Sequence, residues 1–160
     1  MGAWGTGISS NDTYADIYEQ FFDLYNDGLS VSEITKRLID ENQETINIEE
    51  DAPNFWFAIA NAQWECKALN KEIFLKVEHI INSGEDIRIW KELGASPADL
   101  KTREKVLKKF LSKLQTEKDK PRKDILKGVG TSHQSCSSLL SPDEKFYVRY
   151  MSMRTRTTNN

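Results

Sequence analysis

The chain has 160 residues, 38% of them hydrophobic, which suffices for one packed core with an appendage but not for a second full domain. No stretch approaches eighteen apolar residues and no basic start leads through an apolar run to a small-residue cleavage site, so neither a membrane span nor a signal peptide is expected, and the expected location is cytoplasmic. The net charge of -3 conceals an asymmetry: residues 1–100 hold 7 Lys+Arg against 19 Asp+Glu, a balance of -12, while residues 101–160 hold 15 against 6, a balance of +9.

The opening Met1-Gly2-Ala3-Trp4-Gly5-Thr6-Gly7 sets one indole among three glycines. Indole burial is favourable by roughly 1.5–3 kcal/mol, and glycines let the backbone bend around it. Trp4 is therefore expected to pack against Trp56, Trp64 or Phe22. From Asn11 or Asp12 to Asn26, apolar residues recur every three or four positions (Ala15, Tyr18, Phe22, Tyr25, flanked by Ile17, Phe21 and Leu24), a helical face closed by Gly28. A second helix is expected from Ser30 or Ser32 to Glu41, burying Ile34, Leu38 and Ile39. Gln43 to Asp51 reads as a connection.

Asp51 is the expected cap of the most hydrophobic helix, with Pro53 in its first turn. Phe55, Ile59, Ala62 and Cys66 make one face, and Trp56, Ala60 and Trp64 widen it, so this helix should be central. A turn at Ala68–Asn70 leads to a helix from Lys71 to Asn82 with Ile73, Val77, Ile80 and Ile81 inward. Glu85–Leu93 follows with Ile87 and Trp90 inward, stopped by Gly94. Ser96, Pro97 and Asp99 then open a helix that runs to about Gln115 through Leu100, Leu107, Phe110, Leu111 and Leu114. No β-type alternation competes. The expected fold is all-α, a compact bundle of about six helices over residues 1–117, followed at 118–160 by a basic linker and a Ser/Thr-rich, largely disordered tail with a candidate short helix at 142–153.

Few residues are of types that carry chemistry. His79 reads as a helix surface residue, and His133 with Ser132, Ser135 and Cys136 falls in the Ser-rich tail, where nothing would hold a nucleophile rigidly. Cys66 and Cys136 are expected to be reduced thiols. No metal ligand set, cofactor motif or catalytic residue emerges, and Gly2, Gly5 and Gly7 lack the lysine of a phosphate loop. Three polar arrangements remain. Asp12, Asp16, Glu19 and Asp23 form an acidic stripe, readable as a solvated face or as a surface for a basic protein or a divalent cation. Asn54, Ala58, Asn61 and Glu65 form a narrow stripe on the central helix, readable as an internal network or as a recognition site. Lys101, Arg103, Lys105, Lys108, Lys109 and Lys113 decorate the 97–115 helix and continue through Lys118, Lys120, Arg122 and Lys123, readable as cover for the acidic body or as a surface for nucleic-acid phosphates or an acidic membrane.

The Met1–Gly7 opening followed by Asn11-Asp12 and an acidic aromatic helix resembles the start of the bacterial family carrying the domain of unknown function numbered 4259. Asn54-Phe55-Trp56-Phe57-Ala58, Ala62-Gln63-Trp64-Glu65, Ile81-Asn82-Ser83-Gly84-Glu85-Asp86 and Trp90 resemble a wider bacterial group, some of whose members look like immunity proteins of toxin systems. The likeness spans about residues 1–120 and carries no established catalytic residues. Together with the acidic body, it points to a non-enzymatic module that binds another protein, such as a basic toxin; the candidate contacts, read from the residues themselves, are Trp4, Asp12, Asp16, Asn54, Asn61 and Glu65. Two alternatives stand beside it: a nucleic-acid binder using Lys101, Lys105, Lys108, Lys109, Arg122 and Lys123, and an enzyme centred on Asn61 and Glu65.

Overall fold

A computed structural model describes residues 5–122. Trp4, Lys123 and the candidate helix at 142–153 lie outside the described residues. A 3-10 turn at Ile8–Ser10 precedes seven α-helices: α1 (Asp12–Asn26), α2 (Val31–Glu41), α3 (Gln43–Asn47), α4 (Ala52–Glu65), α5 (Lys71–Ser83), α6 (Glu85–Glu92) and α7 (Pro97–Gln115). No strand occurs among the described residues, and the all-α expectation holds. No helix there is long and apolar enough to cross a membrane.

Local capping explains most boundaries. Asn11 accepts a hydrogen bond from the Tyr14 N–H at the start of α1, and Ser30 and Glu33 form a reciprocal capping box on α2. Ser96 accepts from the Asp99 N–H at the start of α7, and Gly84 ends α5 at φ 74°. Lys67 follows α4 in the same left-handed region at φ 56°, and the Ala68 N–H reaches back to the Gln63 carbonyl, which turns the chain sharply into α5.

Helix α4 is the axis of the fold. Every residue from Pro53 to Gln63 is buried, and α1, α3, α5 and α7 all pack against it. The two-sided apolar character expected of it is what a helix needs when it has no solvent face. The core adds Tyr14, Ile17, Phe21 and Phe22 from α1, Ile34 and Leu38 from α2, Ile73, Val77 and Ile80 from α5, and Leu107, Phe110 and Leu114 from α7.

The structure corrects several expectations. Gln43–Asn47 forms a short helix packed on α4 and α2, because half-buried Ile46 needs cover that a bare connection would not give. On α1 the buried face is turned toward Tyr14, Ile17 and Phe21, leaving Ala15 exposed. Asp51 occupies the N-cap position of α4 but does not cap it; its carboxylate accepts from the Thr13 hydroxyl at 2.9 Å instead, tying α4 to α1. In α6, Ile89 and Asp86 are the buried residues, with Ile87 and Trp90 only partly covered.

The largest correction concerns Arg103. It was expected among the exposed cations of α7, and it is 0% exposed. Its Nε and one terminal nitrogen each donate to Asp86 at 2.9 Å, its other terminal nitrogen donates to the Thr6 carbonyl at 3.3 Å, and its guanidinium lies 4.7 Å from the Trp90 ring centre. One side chain thus joins α7, α6 and the segment leading into the 3-10 turn. The planar fork suits such a bidentate, stacked site, which a lysine would not satisfy.

Removing one member of such a pair leaves the other charge buried and unpaired. Asp86→Ala should therefore destabilise the fold by roughly 3–5 kcal/mol, read from urea midpoints, whereas Lys105→Ala on the exposed side of α7 should stay within about 0.5 kcal/mol of the parent. An Asp86→Ala midpoint close to that of Lys105→Ala would show that the pair contributes nothing beyond packing.

Candidate functional site

The predicted stripe on α4 leads into a polar cluster at its C-terminal end. Asn61 and Glu65 lie one turn apart, facing Tyr14 and Tyr18 one turn apart on α1, with Lys113 arriving from α7 and Arg122 from the segment beyond it. Asn61 donates through its amide nitrogen to the Tyr14 hydroxyl at 2.7 Å and accepts at Oδ1 from Lys113 Nζ at 2.7 Å. Glu65 accepts from the Tyr18 hydroxyl at 2.7 Å and, at its other oxygen, from Arg122 at 3.0 Å; the same Arg122 nitrogen donates to the Tyr18 oxygen at 2.8 Å. A longer contact from the Asn61 amide nitrogen to Glu65 at 3.5 Å joins the two groups.

Backbone groups extend it. The last carbonyls of an α-helix have no partner within the helix and sit at its negative end, where cations are favoured. Here the Glu65 carbonyl accepts from the Arg122 N–H at 2.7 Å and from Lys118 Nζ at 3.4 Å. The Trp64 indole donates to the Thr116 carbonyl at 2.7 Å, and the Tyr25 hydroxyl donates to the Arg122 carbonyl at 3.3 Å. Lys113 and Lys118 lie 4.5 and 5.5 Å from the Trp64 ring centre, and Arg122 lies 4.0 Å from that of Phe22. The segment 116–122 is held along the end of α4 and the side of α1.

The electrostatics follow from this enclosure. Burial, only partly offset by the Asn61 bond and reinforced by the Glu65 charge, pushes the Tyr14 hydroxyl up to about 12. Burial, the hydrogen bond to Glu65 and the Glu65 charge all hold the Tyr18 proton well above the usual phenol range. Burial lowers the Lys113 ammonium, with Glu65 opposing and Lys118 adding to the shift. Neither tyrosine is therefore disposed to ionise as a base near neutral pH.

The other predicted residues are placed as follows. Asn54 is buried; its amide nitrogen donates to the Glu50 carbonyl at 3.3 Å, and its Oδ1 is the one buried side-chain polar atom among the described residues without a hydrogen-bond partner. Asp12 and Asp16 are exposed on α1 beside Glu19 and Asp23. Lys101, Lys105, Lys108 and Lys109 are exposed on α7, with Lys108 paired to Glu104 at 2.6 Å. His79 is exposed, and no cluster of metal-ligating side chains occurs among the described residues. Tyr14, Tyr18, Lys113 and Arg122 are the members of the cluster that the stripe on α4 did not reveal. The spacing of four between the two tyrosines was the available signal, submerged in the aromatic face of α1.

Two outcomes test the cluster. Charge-assisted hydrogen bonds contribute about 1.5–3 kcal/mol, and each 1.4 kcal/mol is tenfold in an opening equilibrium, so Glu65→Ala should raise tryptic cleavage after Lys118 and Arg122 by about tenfold or more with the bundle still folded. Unchanged cleavage would mean that 116–122 is held without Glu65. For Tyr14, the folded value of about 12 exceeds the unfolded value of 10.0. The unfolded chain loses its proton first, so the Tyr14 contribution is complete below about pH 10 and is lost as the pH rises toward 12. Denaturant midpoints followed across this window should fall less steeply for Tyr14→Phe than for the parent; parallel curves would remove Tyr14 from the linkage.

No protein-family model, curated protein or solved structure matches the chain.

Proposed function

We propose that this chain is a non-enzymatic, cytoplasmic bacterial protein-binding module of the 4259 type whose acidic face receives a basic partner, in the manner of an immunity protein that neutralises a toxin. The observation that carries this reading is α1. Its outward residues Asp12, Asp16, Glu19 and Asp23 are all exposed, they extend over roughly 16 Å of helix, and no lysine or arginine occurs in the sequence before Lys36. A one-sign surface of this kind steers an oppositely charged protein into encounter and raises its association rate, which is what an antidote to an intracellular toxin requires.

The polar cluster supports the same reading from the other side. Asn61 and Glu65, the centre of the enzymatic alternative, direct their side-chain atoms at Tyr14, Tyr18, Lys113 and Arg122. A group committed to structural partners is not poised to meet a substrate. The nucleic-acid alternative is weakened too. Arg103 is in the core and Lys113 and Arg122 are in the cluster, which leaves Lys101, Lys105, Lys108 and Lys109 on α7 and Lys120 beyond it as the described exposed cations of the run.

The test begins with genes adjacent to this one that encode a basic toxin, co-expressed with the chain. The parent should rescue growth and associate with the toxin at a rate that falls about tenfold or more between low and high salt, while Asp12→Lys, Asp16→Lys and Glu19→Lys combined should abolish both effects with the thermal melt retained. A locus without such a gene, or rescue undiminished by the charge reversal, would overturn the proposal.

A further inference from the structure

A second surface of opposite chemistry lies where α5 begins and α7 ends. Leu69, Phe74 and Leu114 floor a shallow hollow of about 420 Å³ with Lys71 at its edge. It adjoins a hollow of about 270 Å³, bounded further by Trp64, Lys67, Glu117 and Lys118, with Leu69, Leu114 and Gln115 common to both. Leu75, one turn beyond Lys71 on α5, is 48% exposed and carries the apolar floor out toward solvent.

The rim is cationic. Lys67, Lys71 and Lys118 face a single carboxylate, Glu117, which stands 3.5 Å from Lys67 in a pair exposed on both sides. Such a pair contributes little and opens at little cost. An occupant must therefore offer apolar bulk for the floor and negative charge for the rim. Nucleic acid supplies the charge but not the bulk, and the natural stacking ring, Trp64, is covered by Lys113 and Lys118 with its indole N–H engaged by Thr116. A second copy of the chain presents the acidic stripe of α1, but the exposed positions between those acids are Ala15 and Gln20, which cannot fill the floor. A lipid surface meets a protruding apolar face rather than a concave one.

We propose that this groove docks an acidic peptide segment of a partner protein. A bulky apolar side chain enters between Leu69, Phe74 and Leu114, and flanking carboxylates meet Lys67, Lys71 and Lys118. The anchor excludes water from the centre, and the charges at the rim set orientation and selectivity. The site shares no residue with the acidic face of α1, so it stands or falls independently of the toxin-binding proposal.

The full chain is titrated with a fluorescein-labelled synthetic peptide carrying a leucine–phenylalanine pair between runs of aspartate and glutamate, and with a control in which lysines replace the acids. Anisotropy should report saturable binding of the acidic peptide alone. That binding should weaken about tenfold or more in the double variant Lys67→Glu, Lys71→Glu, and likewise on raising the salt. Both lysines are exposed, so the variant should melt as the parent does. Amide NMR shifts should centre on Leu69, Phe74 and Leu114, and Phe74→Ser should weaken binding with every charge intact. Equal binding of the lysine peptide, undiminished binding by the double variant, shifts centred elsewhere, or displacement by a single-stranded oligonucleotide at lower concentration than by unlabelled peptide would each overturn the proposal.

Discussion

The constraint on which the rest of the structure depends is the burial of α4 from Pro53 to Gln63. A helix without a solvent face satisfies its own backbone but cannot leave side-chain polar groups unpaired at low cost. Gln63 donates to the Thr35 hydroxyl at 2.7 Å and accepts from the Asn70 N–H at 2.9 Å, so one amide fixes α2 and the α4–α5 turn together. Asn61 and Glu65 draw in α1, α7 and the segment beyond α7 by the same necessity. The polar residues of the central helix thus act as addresses that specify which neighbour packs where, a selectivity that apolar contact alone supplies poorly.

Burial also redraws the charge layout. In the sequence, the cations of residues 101–122 look like one basic surface set against an acidic body. In the structure, Arg103 neutralises Asp86 in the core, Arg122 is paired with Glu65, and Lys113 lies over Trp64. These cations are withdrawn from the outer face of α7, while Asp12, Asp16 and Glu19 remain at the surface of α1. The domain consequently presents a strongly acidic α1, a basic face on α7 reduced to Lys101, Lys105, Lys108 and Lys109, and a smaller lysine-rimmed groove where α5 begins and α7 ends.

Most of the helical framework was legible because it rests on local signals. The Ser30 and Ser96 caps, Pro97 in its first turn and Gly84 after α5 depend on neighbours a few residues away. What escaped was set by distant partners. Asp51 looked like a cap and instead engages Thr13, thirty-eight positions away; Arg103 looked like a surface cation because its charge gives no sign of Asp86 or Trp90. The α4 stripe pointed to Asn61 and Glu65 correctly as a polar centre, but whether that centre faces a ligand or the protein is decided by Tyr14, Tyr18, Lys113 and Arg122, whose convergence has no period in the sequence.

That distinction bears on where function resides. The residues with the most chemistry in their side chains are those most fully engaged: the tyrosines hold their protons, Lys113 is partly desolvated, and Glu65 joins two hydrogen-bonded neighbours. Displacing Glu65 or Tyr18 to admit a ligand would break charge-assisted bonds that hold Arg122 against the body, a cost that a small ligand in an open site does not readily recover. Asp12, Asp16 and Glu19 on α1 and Lys67 and Lys71 at the groove carry no comparable internal obligation, since they are exposed and the Lys67–Glu117 pair is one that water competes with. Recognition therefore costs least at these surfaces, and the polar cluster serves it indirectly by keeping α1, α4 and α7 in the register that positions both.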